Sequence, residues 1–276
     1  MKIIIAYLSL VVLISCTDAP APPEPRKASF PKYLEQVAEL PRKDNLWVFI
    51  LAGQSNMAGR GLVEPNDTIP SKRILSINES SQLIYAKEPL HFYEPNLQGL
   101  DCGLSFANTL ISRIPDSISI LVLPTAVGGS SVEQWLDDAS HRGVNLLSNF
   151  RAKAKLGAAH GDIKAILWHQ GESNAQPEKL VTYPSKLSSL FDVFRSELAN
   201  DSLPILLGEL PAFPKNYENR QAVNVIMRDY VARDPNSGII YTQDLMHKGD
   251  STHFDAAGQR TMGERFAEAY LETIEQ

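Results

Sequence analysis

The run Leu46-Trp47-Val48-Phe49-Ile50-Leu51-Ala52-Gly53-Gln54-Ser55 decides the fold. Its first six residues are apolar without alternation, the pattern of a strand covered on both faces. Gly53 then breaks the run and a serine follows, where a loop leaves the strand. Runs of the same kind recur at residues 118–127, 163–168, 205–207 and 239–241. Helical patterns lie between and after them, at 104–114, 146–158, 183–198, 218–233 and 256–274. Strand and helix alternate, so the sequence predicts an α/β domain with a central parallel sheet, helices on both sides and right-handed crossovers. Residues 60–100 break this rhythm. They are rich in turn formers such as Glu64-Pro65-Asn66-Asp67 and Glu94-Pro95-Asn96 and read as a long excursion that shapes a cleft near the site.

The chain has 276 residues and a formal net charge of −6, with no basic cluster to offset it. That balance argues against a nucleic-acid partner, whose phosphates need Lys and Arg. Residues 1–16 read as an export signal: Lys2, an apolar core from Ile3 to Ile14, and a small-residue end at Ser15-Cys16. Leu13-Ile14-Ser15-Cys16 resembles the bacterial lipobox, which implies lipidation of Cys16 and an exported protein held to the cell envelope by that anchor alone. Residues 17–27 are rich in Pro and Ala and read as an extended tether, within a Pro-rich tether and lead-in spanning 17–43. The folded domain is expected over 44–276. With Cys16 used, only Cys102 remains, so no intramolecular disulfide is expected.

Three segments carry the chemistry. Ser55 follows the first strand in what reads as a strand-to-helix turn, where it serves either as a helix cap or as a nucleophile. His253 stands three residues after Asp250, a spacing that lets the carboxylate hold one imidazole tautomer and leaves the other nitrogen for Ser55. Gln170 and Glu172 follow the strand that ends at Trp168. The Gln170 amide suits either an oxyanion hole or a loop carbonyl, and Glu172 is free to orient His253 or Gln170, or to sit in a local network. Gly128-Gly129 follows another strand and offers either a ligand-facing backbone N–H or an ordinary tight turn. Trp135 reads as a sugar-stacking face or as cover for the sheet. His169 has no other His or Cys at ligand spacing, so no metal and no cofactor are expected.

The motifs GQSNMAG, TAVGGSSVEQW, WHQGESN and DSTHF, in this order across residues 46–270, resemble the sialate O-acetylesterase-like proteins and carbohydrate esterase family 6, a branch of the SGNH hydrolases. The resemblance implies a flavodoxin-like three-layer αβα sandwich, no metal, and hydrolysis of O-acetyl groups on sugars such as xylan or sialic acid. It implies Ser55 as nucleophile, His253 as base and Asp250 as its partner, with Glu172 sharing or replacing that partner. It also implies an oxyanion hole formed by the backbone N–H groups of Ser55 and Gly128 and by the Gln170 side chain, Gly129 being able to exchange roles with Gly128. Gln54, Asn56, Gly129 and Trp135 are then the candidate substrate contacts. The competing expectations are a tethered glycan-binding protein without turnover and an esterase for acyl groups not carried by sugars.

Overall fold

In the computed structural model, which describes residues 25–274, the opening run becomes β1 (Leu46–Gly53) at the centre of the sheet. Every residue of β1 but Trp47 is buried. Val48 and Ile50 pack into one apolar layer, Phe49 and Leu51 into the other. This two-sided burial is why the sequence shows no alternation. The remaining strands are β2 (Ile74–Ile77), β3 (Leu83–Tyr85), β4 (Ser119–Pro124), β5 (Ser140–His141), β6 (Val144–Asn145), β7 (Asp162–His169), β8 (Ile205–Gly208) and β9 (Ser237–Ile240). The helices are α1 (Gly103–Ile111), α2 (Val132–Leu136), α3 (Leu146–His160), α4 (Pro177–Leu180), α5 (Tyr183–Glu197), α6 (Tyr217–Val231) and α7 (Ala256–Ile274).

The main sheet has seven strands in the order β3-β2-β4-β1-β7-β8-β9. The five strands expected from the sequence are all parallel and stand as β4-β1-β7-β8-β9. Their spatial order is that of the flavodoxin-like doubly wound folds. Phe106 and Leu110 of α1 join Met262, Phe266 and Tyr270 of α7 over one face. Phe150 of α3, Phe191 and Phe194 of α5, and Val223 and Met227 of α6 cover the other. The result is the three-layer α/β sandwich.

Two features differ from the expectation. The excursion is not strandless: β2 and β3 lie within it and extend the sheet beyond β4. They are four and three residues long, and β2 carries Ser76, whose hydroxyl donates to the Val122 carbonyl (3.0 Å). Such short, interrupted runs leave little periodicity to read. β3 also pairs antiparallel with β2, so the sheet is mostly rather than wholly parallel. Residues in the 17–43 lead-in reach this edge too: Val37 N–H donates to Leu83 O (3.0 Å), and Tyr85 N–H to Glu35 O (2.9 Å). The export signal, Cys16 and most of the 17–27 tether lie outside the described residues.

The chain leaves β1 through Gly53 at φ +137°, pressed against β7. A Cβ at this position would meet the His169 carbonyl oxygen at 2.1 Å. Both the dihedral and the contact exclude a side chain. Gly53→Ala is therefore expected to lower the unfolding free energy by about 1–3 kcal/mol, read from urea denaturation; an unchanged midpoint would contradict this account of the β1 exit.

Candidate active site

β1 is flanked by β4 on one side and β7 on the other, so the chain leaves it at the point where the strand order reverses. A crevice opens at such a point beyond the carboxyl ends of the strands. Ser55 sits in this crevice on a single turn, in which Met57 and Ala58 N–H groups both donate to Gln54 O (3.0 and 2.8 Å). No helix follows, contrary to the strand-to-helix turn read from sequence; the chain goes straight into the excursion. One turn without continuation still leaves its leading N–H groups unpaired, and the Ser55 N–H has no partner among the described residues.

His253 comes from the loop between β9 and α7. That loop folds back on itself through Lys248 N–H to His253 O (3.0 Å) and Asp255 N–H to Met246 O (3.0 Å). The imidazole Nε2 lies 3.1 Å from Ser55 Oγ, and Nδ1 lies 2.7 Å from Asp250 Oδ2. Asp250 Oδ1 accepts the backbone N–H groups of His253 (2.8 Å) and Thr252 (3.0 Å). Burial works to raise the Asp250 carboxyl, but these N–H groups and the imidazole outweigh it and hold the group well below the usual carboxylate range. With Asp250 ionised, Nδ1 keeps the proton and Nε2 faces the serine hydroxyl as an acceptor. Burial pushes the His253 pKa down, more than the Asp250 hydrogen bond and charge pull it up, and the charges of Arg60 and Lys248 add to the lowering. The net effect favours the neutral imidazole.

Glu172 makes no hydrogen bond or ion pair with His253, whose ring partners are Asp250 and Ser55. Its Oε1 accepts from Asn56 Nδ2 (2.6 Å). Asn56 in turn grips the peptide on both sides of His253: Nδ2 donates to Thr252 O (3.2 Å), and Oδ1 accepts Phe254 N–H (3.1 Å). Its own carbonyl accepts from Gln259 of α7 (2.9 Å). Asn56 is fully buried, so it is a clamp between loops rather than a substrate contact. Gln54 is also buried. Its Oε1 accepts the Gly171 and Ser173 N–H groups and the Gln170 amide at 3.2–3.4 Å, which ties the β1 exit to the β7 exit.

The structure revises the expected oxyanion hole. Gln170 is fully buried, its Nε2 donating to Asn174 Oδ1 (2.7 Å) and Ser130 O (3.2 Å), so the amide braces loops instead of facing the crevice. The Gly128 N–H is occupied as well, donating to Glu94 Oε2 (2.7 Å). A Cβ on Gly128 would meet the Arg60 guanidinium at 2.2 Å and the Glu94 carboxylate at 2.6 Å, so a side chain there would displace this ion pair. Gly129 is exposed and its N–H has no partner among the described residues. Among the described residues the Ser55 and Gly129 N–H groups, like that of Asn56, have no hydrogen-bond partner. Trp135 is fully buried too, donating from Nε1 to Ser130 Oγ (3.0 Å) and packing edge-on against Trp168 and Phe194, so it covers the sheet. His169 is buried against Glu209 O (3.0 Å).

Glu94, Arg60 and Arg142 were not visible from sequence. Glu94 Oε2 binds Arg60 Nη2 (2.6 Å), and its Oε1 binds Arg142. Burial raises the Glu94 carboxyl, but Arg60 foremost brings it below its ordinary value. The three partners come from the β1 exit, the excursion and the β5–β6 ribbon. The only sequence signal is a carboxylate in a turn-rich segment.

A model of the family described as carbohydrate esterase, sialic acid-specific acetylesterase, matches residues 45–272. A probable carbohydrate esterase of Arabidopsis thaliana is 29% identical over 244 residues, covering 81% of this chain and 90% of the plant protein. An X-ray structure of an Arabidopsis thaliana protein superposes with a TM-score of 0.72 at 28% identity, over 83% of this chain and 98% of the other. NanS superposes with a TM-score of 0.66 at 19% identity, over 86% and 99%, a likeness of fold.

The electrostatics of the His253 loop give a direct test. The His253 imidazole should titrate below the ordinary histidine value in an NMR pH titration, and Asp250→Asn should move it lower still by removing the hydrogen bond and charge that raise it. Titration at or above the ordinary value would contradict the burial read here.

Proposed function

The chain belongs to the carbohydrate esterase, sialic acid-specific acetylesterase family, and from that premise we propose that it hydrolyses O-acetyl esters on carbohydrates by acyl transfer through Ser55. The observation that carries the reading is the relay in which His253 Nε2 stands 3.1 Å from Ser55 Oγ while Asp250 holds Nδ1 at 2.7 Å. A hydroxyl attacks a carbonyl only as its proton leaves, and this base is oriented and within reach.

In the first step Ser55 Oγ bonds to the acetyl carbon and its proton passes to His253 Nε2. The carbonyl oxygen gains charge beside the N–H groups of Ser55 and Gly129, the proposed oxyanion donors. The carbon–oxygen bond to the sugar then breaks, and His253 returns the proton to the leaving sugar hydroxyl. Water, deprotonated by the same imidazole, releases acetate and restores Ser55. Activity rises with pH as His253 loses its proton. No step draws on a metal or cofactor. Acetylxylan and O-acetyl sialic acids are the substrate classes proposed on family grounds. The sequence of residues 1–16 supports, as part of the same proposal, an exported protein anchored to the bacterial envelope by lipid on Cys16.

Acetate release from O-acetylated xylan and O-acetyl sialic acid tests the mechanism. Ser55→Ala should abolish it, and Asp250→Asn should cost about a thousandfold or more in kcat. Glu172→Gln keeps an acceptor for Asn56, so its loss should stay below about tenfold. Retained turnover in Ser55→Ala, or a Glu172→Gln loss larger than that of Asp250→Asn, would overturn the assignment of roles.

A further inference from the structure

Beside the nucleophile the surface does not end at a pocket wall. The position a side chain would take on Gly129 lies 3.7 Å from both Arg142 Nη2 and His141 Nε2, so the β5–β6 ribbon borders the crevice. Arg142, whose side chain is 43% exposed, also lines an open groove of about 620 Å³ with Glu79, Phe92, Tyr93, Asn149 and Lys153. A second cavity of about 380 Å³ shares Glu79 and Phe92 with that groove and continues beneath Phe30 and Leu34 of the lead-in. Each volume is in the range of pockets that hold a small organic ligand. Glu79 follows β2, and Tyr93 OH donates to the carbonyl of Pro124 at the end of β4 (2.8 Å). β2 and β4 run parallel with β1, so the groove lies along the same sheet edge as Ser55 and reaches two strands, or about 10 Å, to the side.

The lining has the chemistry of a sugar platform. Phe92 and Tyr93 are half-buried neighbours with ring centroids 4.6 Å apart and planes tilted by 46°. Tyr93 is pinned at its hydroxyl by Pro124 O and by the Asn149 amide (2.9 Å), so the ring is held rather than free. Pyranose rings present apolar C–H faces that pack on aromatic rings, and their hydroxyls match amides, a guanidinium and an ammonium. The Lys153 ammonium donates to Ser81 Oγ (2.7 Å) and stands 5.9 Å from the Phe92 ring centroid. An acetylated monosaccharide held at Ser55 would leave this surface unused.

Resting on the proposed esterase reading, we propose that the groove from Arg142 past Tyr93 and Phe92 binds the sugar units that flank the acetylated one, so that the preferred substrate is an oligosaccharide or polysaccharide rather than a free acetylated sugar. The test compares kcat/KM for acetate release within two pairs: O-acetylated xylo-oligosaccharides against O-acetylated xylose, and O-acetylated oligosialic acid against O-acetylated sialic acid. In the pair that is turned over, the full chain should prefer the longer substrate by about tenfold or more. Phe92→Ala removes one of the two rings of the platform, and Glu79→Trp, at an exposed position shared by both cavities, fills the groove without touching the core. Both should bring the ratio towards one. A ratio near one in the unaltered protein, or one that neither variant changes, overturns the proposal. If no ester is cleaved, the esterase reading fails separately. Calorimetric binding of the deacetylated oligosaccharides then decides: binding weakened by both variants supports the groove, and no binding overturns it.

Discussion

The Asn56 side chain is the constraint on which the site depends. It is fully buried beside Ser55, the proposed nucleophile, and through it Glu172 of the β7 exit and both peptide groups flanking His253 are held to the β1 exit. Leaving a buried donor or acceptor unpaired costs about 1–3 kcal/mol, so these bonds must form together as the loops dock. Their geometry fixes where His253 points. The Ser55–His253 contact then follows from a bond made by the adjacent residue, across a sequence separation of 198.

The sheet supplies the place and the loops supply the chemistry. Because β4 and β7 pair on opposite sides of β1, the β1, β4 and β7 exits converge on one crevice, and the loop before α7 closes it. Glu94 completes the arrangement from the excursion. By taking the Gly128 N–H and both Arg60 and Arg142, it leaves Gly129 as the open donor of that loop and sets a guanidinium at the mouth of the groove. One buried carboxylate thereby links the proposed oxyanion donor to the proposed glycan platform.

The five central strands were legible because burial on both faces writes continuous apolar runs, and Ser55, Asp250 and His253 because each stands in a short segment with its own chemical logic. Asp250 and His253 are three residues apart and meet within one loop, so spacing alone was enough. The roles of Gln170, Gln54, Asn56 and Trp135 stayed open in the sequence for a common reason: a polar or aromatic residue next to a strand end reads alike whether it faces ligand or braces the next loop. The outcome was set by partners such as Ser130 and Gly171, which lie far from them in sequence or acquire their position only in the fold. The Arg60–Glu94–Arg142 cluster joins residues 34 and 48 positions apart, and no local pattern encodes such pairings. β2 and β3 escaped notice because three or four residues carry too little periodicity to register.

The proposed reactivity of Ser55 depends on the Asn56 clamp that holds His253 beside it. The most direct measurement is the rate at which a fluorophosphonate labels Ser55, followed by mass spectrometry in the unaltered protein and in Asn56→Ala, with circular dichroism to follow folding. The account predicts that the variant stays folded and that labelling slows by about a hundredfold or more, as expected when a general base loses its alignment. A folded variant labelled at the original rate would contradict it, because Ser55 and His253 would then be held together by something other than Asn56.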